Sequence, residues 1–210
     1  MRRRMVLAAG PLLAGAGLLG ACSVVNQSYV EPRRYTLSPR RPAQAMGGVP
    51  RRAGTKAVLM RLTGAAPGMD SRLLRSIRPD GTVAQEYYAE WTAPPAEAAE
   101  EALRRWVTDA GIFSAVLAPG TRGDADLLLE SELVALHVDL GRGVAVASMS
   151  AVLLRSSSQI GTRVVAQFTR DASVPVPPER PLGPDAQAAG MVAALAAVLG
   201  QLEGDLLRYA

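Results

Sequence analysis

Between Leu127 and Phe168 the sequence carries three long β-prone runs with only two interruptions, and that arrangement dictates a meander. Leu127, Leu129, Ser131 and Leu133 share one face opposite Glu130 and Glu132, the period-two alternation of a half-buried strand. Beyond this point the apolar phase shifts to Val134, Leu136, Val138 and Leu140. A one-residue change of phase needs a bulge, or a strand buried on both faces. Gly141-Arg142-Gly143 supplies a tight hairpin turn. Val144 to Arg155 is largely apolar on both faces, which places it centrally in a sheet. After a turn from Ser156 to Gly161, the residues Val164, Ala166 and Phe168 make the inward face of the last strand. Pro175, Pro177, Pro178, Pro181 and Pro184 then keep the next segment out of any sheet interior.

Two helices frame the meander. Pro94-Pro95 starts the first, whose Ala99, Ala102, Leu103, Trp106, Val107 and Ala110 follow the spacing of one buried stripe. Glu97, Glu100 and Glu101 favour the positive end of its dipole, and Arg104 and Arg105 lie four residues beyond on the solvated side. Gly111 ends it as a left-handed cap, with Ile112 and Phe113 folding back. The second helix is capped by Asp185 and runs to about Leu207. Its stripe is Ala188, Met191, Val192, Leu195, Val198, Leu199, Leu202 and Leu206. Gly190, Ala193, Ala194, Ala197, Gly200 and Gly204 give its other side small residues in place of charges. Alanine's helix propensity accounts for that composition, with a contact in a homo-oligomer as the alternative.

Ahead of the first helix, Val58, Met60 and Leu62 alternate as a half-buried strand, and Arg72 to Ile77 is a second short one. It ends at the turn Pro79-Asp80-Gly81. A third strand puts Val83, Tyr87, Ala89 and Trp91 on one side and Glu86 and Glu90 on the other. The pattern predicts a single α/β (α+β) domain: a mainly antiparallel sheet with two helices packed against it.

The N-terminus reads differently. Arg2, Arg3 and Arg4 precede an apolar stretch from Met5 to Ala21, a charged n-region and a short h-region ahead of small residues at a cleavage site. Seventeen residues broken by Pro11 are short for a membrane span, which needs about 20 apolar residues. The chain's single cysteine, Cys22, follows Leu19-Gly20-Ala21 directly, and no second cysteine exists to form a disulfide within the chain. This division gives residues 1–21 as a signal peptide, 22–33 as a flexible tether and 34–210 as the folded domain. Within the last, Arg34-Tyr35-Thr36-Leu37 is short and β-prone, and Ser38 to Thr55 reads as a loop.

The net charge of +4 is no signal for nucleic acid. Without Arg2, Arg3 and Arg4 the chain holds 20 basic residues (23 less three) against 19 acidic ones, interspersed along its length. A grip on phosphate needs a concentrated basic face. The six arginines from Arg33 to Arg52 suit a tether beside anionic head groups better than a binding module.

Catalytic chemistry is not assembled by the sequence. His137 is the only histidine, and Asp139 shares its strand face two residues on, a common consequence of strand periodicity that reads as an exposed pair at a sheet edge. Ser148 and Ser150 sit mid-strand, outside the Gly-flanked elbow a nucleophile needs. One histidine cannot supply a metal centre of three or four ligands, and Asp124 and Asp126 lack EF-hand spacing. Neither an enzyme nor a cofactor is expected.

Leu19-Gly20-Ala21-Cys22 resembles the lipobox of bacterial lipoproteins, which implies a diacylglycerol on the Cys22 sulfur, cleavage before it and acylation of the new amine. Several further segments follow in a fixed order: Arg34-Tyr35-Thr36-Leu37, Ala66-Pro67-Gly68-Met69-Asp70, Tyr87-Tyr88-Ala89-Glu90-Trp91, Pro94-Pro95 and Asp109-Ala110-Gly111-Ile112-Phe113. In order and spacing they resemble the ABC-type transport auxiliary lipoproteins, over most of residues 34 to 170. The resemblance implies a non-catalytic component of an MCE-type system that moves phospholipid or other hydrophobic compounds across the cell envelope. Its implied partners are an MCE-domain protein with its ABC permease and ATPase, and a membrane held through the lipid anchor. Ser23, where the inner-membrane retention signal has Asp, implies the outer membrane with the domain facing the periplasm. The alternative is a structural or assembly lipoprotein of another outer-membrane machine, a secretion channel or lipopolysaccharide assembly.

Overall fold

The computed structural model describes residues 29–42, 54–157, 161–179 and 181–210. Leu19, Gly20, Ala21 and Cys22 lie outside these residues, as do the signal peptide and most of the tether. The chain divides into two compact units, Met1–Glu31 and Pro32–Ala210, and the fold is that of the second. Its strands are β1 (Arg33–Tyr35), β2 (Ala57–Met60), β3 (Gly64–Ala65), β4 (Leu73–Ile77), β5 (Val83–Trp91), β6 (Ala115–Leu117), β7 (Leu127–Asp139), β8 (Val144–Ser157) and β9 (Gly161–Pro175). Helix α1 (Pro95–Ala110) lies between β5 and β6, and α2 (Pro184–Leu206) closes the chain.

The meander is the spine. β7, β8 and β9 pair antiparallel in sequence order, so β8 is the central strand that its two-sided apolar pattern predicts. The other edge of β7 is lined end to end by β2, β3 and β4, all parallel to it. From there the sheet forks. β2 carries β6 on one limb, while β4 carries β5 and then β1 on the other. The sheet is therefore mixed: its longest ladders are antiparallel and its short ones parallel. Single-sequence periodicity cannot choose between the two directions, because side chains alternate identically in both.

The phase change on β7 is a bulge. Leu133 pairs with Met149 and Ala135 with Ser148, which leaves Val134 unpaired and exposed. Leu127, Leu129 and Leu133 before it, and Leu136 and Val138 after it, all face the core. The inserted residue is what keeps both halves pointing inward.

Both helices pack on that face. α1 buries Ala99, Ala102, Leu103, Trp106 and Val107, and Gly111 closes it at φ 61° with its N–H on the Thr108 carbonyl at 3.1 Å. Glu101 pairs with Arg104, whereas Glu100 accepts the Thr63 amide at 2.7 Å. α2 packs on β8, whose inward-facing Ala145, Ala147 and Ala151 are small and let it approach closely, with Met149 filling the space between them. At Gly190 an added Cβ would stand 3.0 Å from that of Ala145. The small-residue side is thus divided: Gly190 and Ala194 pack inward, while Ala193, Ala197, Gly200 and Gly204 face solvent.

Several expectations change. Val164 is exposed, not inward, because the β8–β9 register shifts between Leu153↔Ala166 and Leu154↔Val164, and Val83 is exposed too. The N-cap of α2 is Gly183, not Asp185, because Pro184 takes the first helical position, where no N–H is needed and φ is already set. Leu62 falls beyond the end of β2 and is exposed, out of the buried alternation of Val58 and Met60. Tyr87 points outward, unlike Ala89 and Trp91, because the β4–β5 register jumps from Leu73↔Glu90 to Leu74↔Glu86 and breaks the alternation. His137 is half-buried on the innermost long strand, not at a sheet edge.

Candidate functional site

The helices cover one face of the sheet and leave the other open, and the sequence's chemistry-bearing residues stand on that open face. Arg75 on β4, His137 on β7 and Val146 on β8 form one row across it. Ala135, Ser148 and Asp171 form the next. Burial lowers the basicity of His137, and neighbouring Arg75 lowers it further, with Asp139 opposing in part. The imidazole is accordingly biased toward its neutral form.

The groups do not come together. Ser148 is the diagonal neighbour of His137 across the β7–β8 ladder, and among the described residues no hydrogen bond joins the two. Asp139 is engaged elsewhere: its Oδ1 accepts the Arg142 amide at 2.9 Å. Ser150 lies 3.5 Å from Glu132. Among the described residues no group of three or more His, Cys, Asp or Glu is placed to hold a metal ion. Asp126 instead accepts the Ala57 amide at 2.8 Å, fixing the start of β2.

A shallow groove of about 590 Å³ lies at the β2 limb, lined by Leu59, Leu62, Pro119 and Gly120, with the Arg61–Glu130 pair at 3.3 Å on its wall.

The most heavily built feature is the attachment of residues 33–41 to α2. Arg33 reaches Asp185 at 2.9 Å, and the Tyr35 hydroxyl donates to the same carboxylate at 2.7 Å. Burial and the bond to Asp185 both raise the Tyr35 phenol's pKa. Leu37 and Pro39 are buried. Arg41 then forms a two-pronged pair with Glu203, at 2.8 and 2.7 Å, and the Trp106 indole N–H donates to the same carboxylate at 2.9 Å. Both side chains of this pair are about nine-tenths buried. The bond to Glu203 raises the Arg41 pKa further.

The geometry is self-consistent. Asp185 and Glu203 are separated by eighteen residues, about 27 Å along a helix at 1.5 Å per residue. Arg33 to Arg41 spans eight residues, about 26–29 Å when fully extended. The segment is a strap held at both ends to α2, with a turn at its middle where the Ser38 amide donates to the Thr36 carbonyl at 3.0 Å. Sequence reading located neither carboxylate's role: Asp185 resembles a cap, and Glu203 interrupts an apolar stripe. The interruption itself was the available signal, since a charged residue in a buried stripe calls for a partner.

No family model matches the sequence, and no curated protein matches it either. Solved structures do. The chain is similar to protein XCC0632 of Xanthomonas campestris, of the DUF330 family, at 25% identity and a TM-score of 0.67, over 84% of this chain and 95% of that one. An uncharacterized protein shares the fold at a TM-score of 0.57 and 13% identity, over 85% of this chain and 98% of its own.

Proposed function

We propose that this chain is a non-catalytic lipoprotein, anchored through Cys22 to the outer membrane with its domain in the periplasm. In this reading it serves as the PqiC-like auxiliary component of an MCE-type ABC lipid transporter. The observation that carries the anchor is Leu19-Gly20-Ala21-Cys22 behind a charged and apolar leader. The strap supports it, because a domain held by its N-terminus needs that end fixed to its core. The scattered placement of His137, Ser148 and Asp139 supports a role in attachment and docking. The likeness to a DUF330 protein is compatible with the transporter role and names no partner.

Acyl chains contribute roughly 0.8 kcal/mol per buried methylene, so more than one makes anchoring effectively permanent. Expression of the full chain with radiolabelled fatty acid tests the anchor. The native protein takes up label and sediments with membranes, and Cys22→Ser takes up none and stays unprocessed. Equal labelling of the two would end the lipoprotein reading. Crosslinking and purification from the native host tests the role, with an MCE-domain protein as the expected companion. Recovery of secretion-channel or lipopolysaccharide-assembly subunits alone would turn the assignment to a structural lipoprotein of that machine.

A further inference from the structure

Tyr87 and Tyr88 are adjacent exposed aromatic residues on one strand of the sheet, and Tyr29, on the N-terminal side of β1, is exposed as well. The whole chain has only five tyrosines, two tryptophans and two phenylalanines. Trp91, Trp106 and Phe113 are buried, and Phe168 nearly so. The two adjacent tyrosines, by contrast, are 80% and 56% exposed. The cause is local. The β4–β5 ladder steps from Leu73↔Glu90 to Leu74↔Glu86, so Tyr87, Tyr88 and Ala89 have no opposing residue on β4. Such an insertion bends the strand and re-aims its side chains. Ala89 turns back into the core, and both phenol rings are left in solvent.

Their position gives the exposure a purpose. β1 runs parallel to β5 with Arg33 opposite Ala89, so the chain arriving from Cys22 enters the sheet beside Tyr88. Ten residues separate Cys22 from Arg33, and the eleven steps between them reach at most about 36–40 Å when extended. This end of the domain is therefore confined near whatever surface holds Cys22. A tyrosine, with an apolar ring and a polar hydroxyl, is the side-chain type enriched where a membrane meets water. We propose that Tyr87 and Tyr88 rest in the interface of the phospholipid bilayer that holds Cys22 and so fix the tilt of the domain.

The proposal rests on the lipoprotein reading and adds to it a defined membrane-facing edge. The surrounding charges indicate what kind of contact this is. Arg33 and Arg34 are matched by Asp185 and Glu90, each at 2.9 Å, and Glu86 lies 3.2 Å from Gln187. No excess of positive charge remains among these groups to select anionic lipid, so ring insertion carries the contact and salt leaves it unchanged. A contact too weak to recruit a free domain suffices here, because the tether holds the rings at high local concentration.

The test uses the chain from Cys22 onward, coupled through that one thiol to a maleimide lipid in phosphatidylcholine vesicles and mapped by hydroxyl-radical footprinting. Oxidation of Tyr87 and Tyr88 should fall to a small fraction of that in the uncoupled protein. Val164, exposed on β9 at the far edge of the sheet, should react equally in both. Equal oxidation of the tyrosines with and without vesicles overturns the proposal. So does protection that needs anionic lipid, that vanishes in 1 M salt, or that appears only when an MCE-domain protein is added. Because coupling is chemical, none of these outcomes bears on native lipidation. Absence of fatty-acid label on Cys22 in cells would remove the anchor itself, so the two failures are read separately.

Discussion

Three glycines on α2 receive the same substitution in three different settings, and the outcomes separate helix propensity from packing. Replacing an interior helical glycine by alanine stabilises by about 0.8–1.0 kcal/mol where nothing obstructs the new methyl group. At Gly204 nothing lies within 4 Å of that position, and at Gly200 the nearest atom is Trp106 Cζ2 at 3.8 Å, an ordinary contact. Both variants should gain about 1 kcal/mol, which for a domain of this size raises Tm by about 2–4 °C. Gly190 is different. Its new Cβ would stand 2.8 Å from Val176 Cγ1 and 3.0 Å from Ala145 Cβ. Ala145 is fixed in the central strand, and the Val176 backbone is held by its N–H on the Gly143 carbonyl at 3.0 Å. Ala145 Cβ cannot withdraw without moving backbone and Val176 only by leaving its rotamer, and overpacking of this kind costs about 1–3 kcal/mol. Set against the propensity gain, Gly190→Ala should be destabilising by up to about 2 kcal/mol and lower Tm. Thermal unfolding of the chain from residue 23, followed by circular dichroism, reads all three. A Gly190→Ala variant that gains as much as Gly204→Ala would mean that α2 does not lie against β8 as described.

Two further perturbations probe the strap and the open face. Glu203→Gln keeps an acceptor for the Trp106 indole but leaves the Arg41 guanidinium buried without its counter-charge; removing one partner of a buried pair costs about 3–5 kcal/mol, and urea unfolding should show a loss near the lower end, whereas a loss under 1 kcal/mol would place the pair at the surface. His137 binds its proton less readily in the folded chain than in the unfolded one, so its contribution to stability is fully present above the unfolded value near 6.5 and is lost as pH falls below it; His137→Gln should flatten Tm between pH 5 and 7, and an unchanged slope would assign the acid sensitivity to other groups.

The meander, both helices and the bulge were legible because each is a local pattern. Val134 illustrates how far this goes. Two correctly phased apolar sets one residue out of step allow few solutions, and the structure adopts one of them. Tyr87 shows where alternation along a strand misleads. A three-residue bulge in β5 depends on how β4 pairs with it, and nothing in the alternation of Val83 to Trp91 announces the break. The parallel seating of β2, β3 and β4 along one edge of β7 is hidden for the same reason, since direction is decided by tertiary packing. In the candidate site, strand period alone puts His137 and Asp139 on one face, but their burial depends on neighbours from β4 and β8. For the strap, Glu203 in a buried stripe calls for a partner but cannot name it, because Arg41 is 162 residues away in sequence.

The strap also determines how a tethered domain meets force. If β1 were held only by its ladder to β5, a pull from Cys22 would open that ladder one bond at a time. The strap changes the direction of loading. Arg33 to Arg41 is fixed to α2 near both of its ends, so a pull along it bears on several attachments at once. These are the Asp185 cluster, the bond from the Thr92 amide to the Tyr35 carbonyl at 2.8 Å, and the Glu203 pair. The last is the most buried and has its second anchor in Trp106 of α1. In a chain anchored through Cys22, load applied at the anchor would pass into both helices and the core between them. A buried ion pair is ordinarily a poor investment in stability, since apolar residues of similar volume often do as well. Here its directional, two-pronged geometry supplies what an apolar contact does not: resistance to sliding along the helix axis.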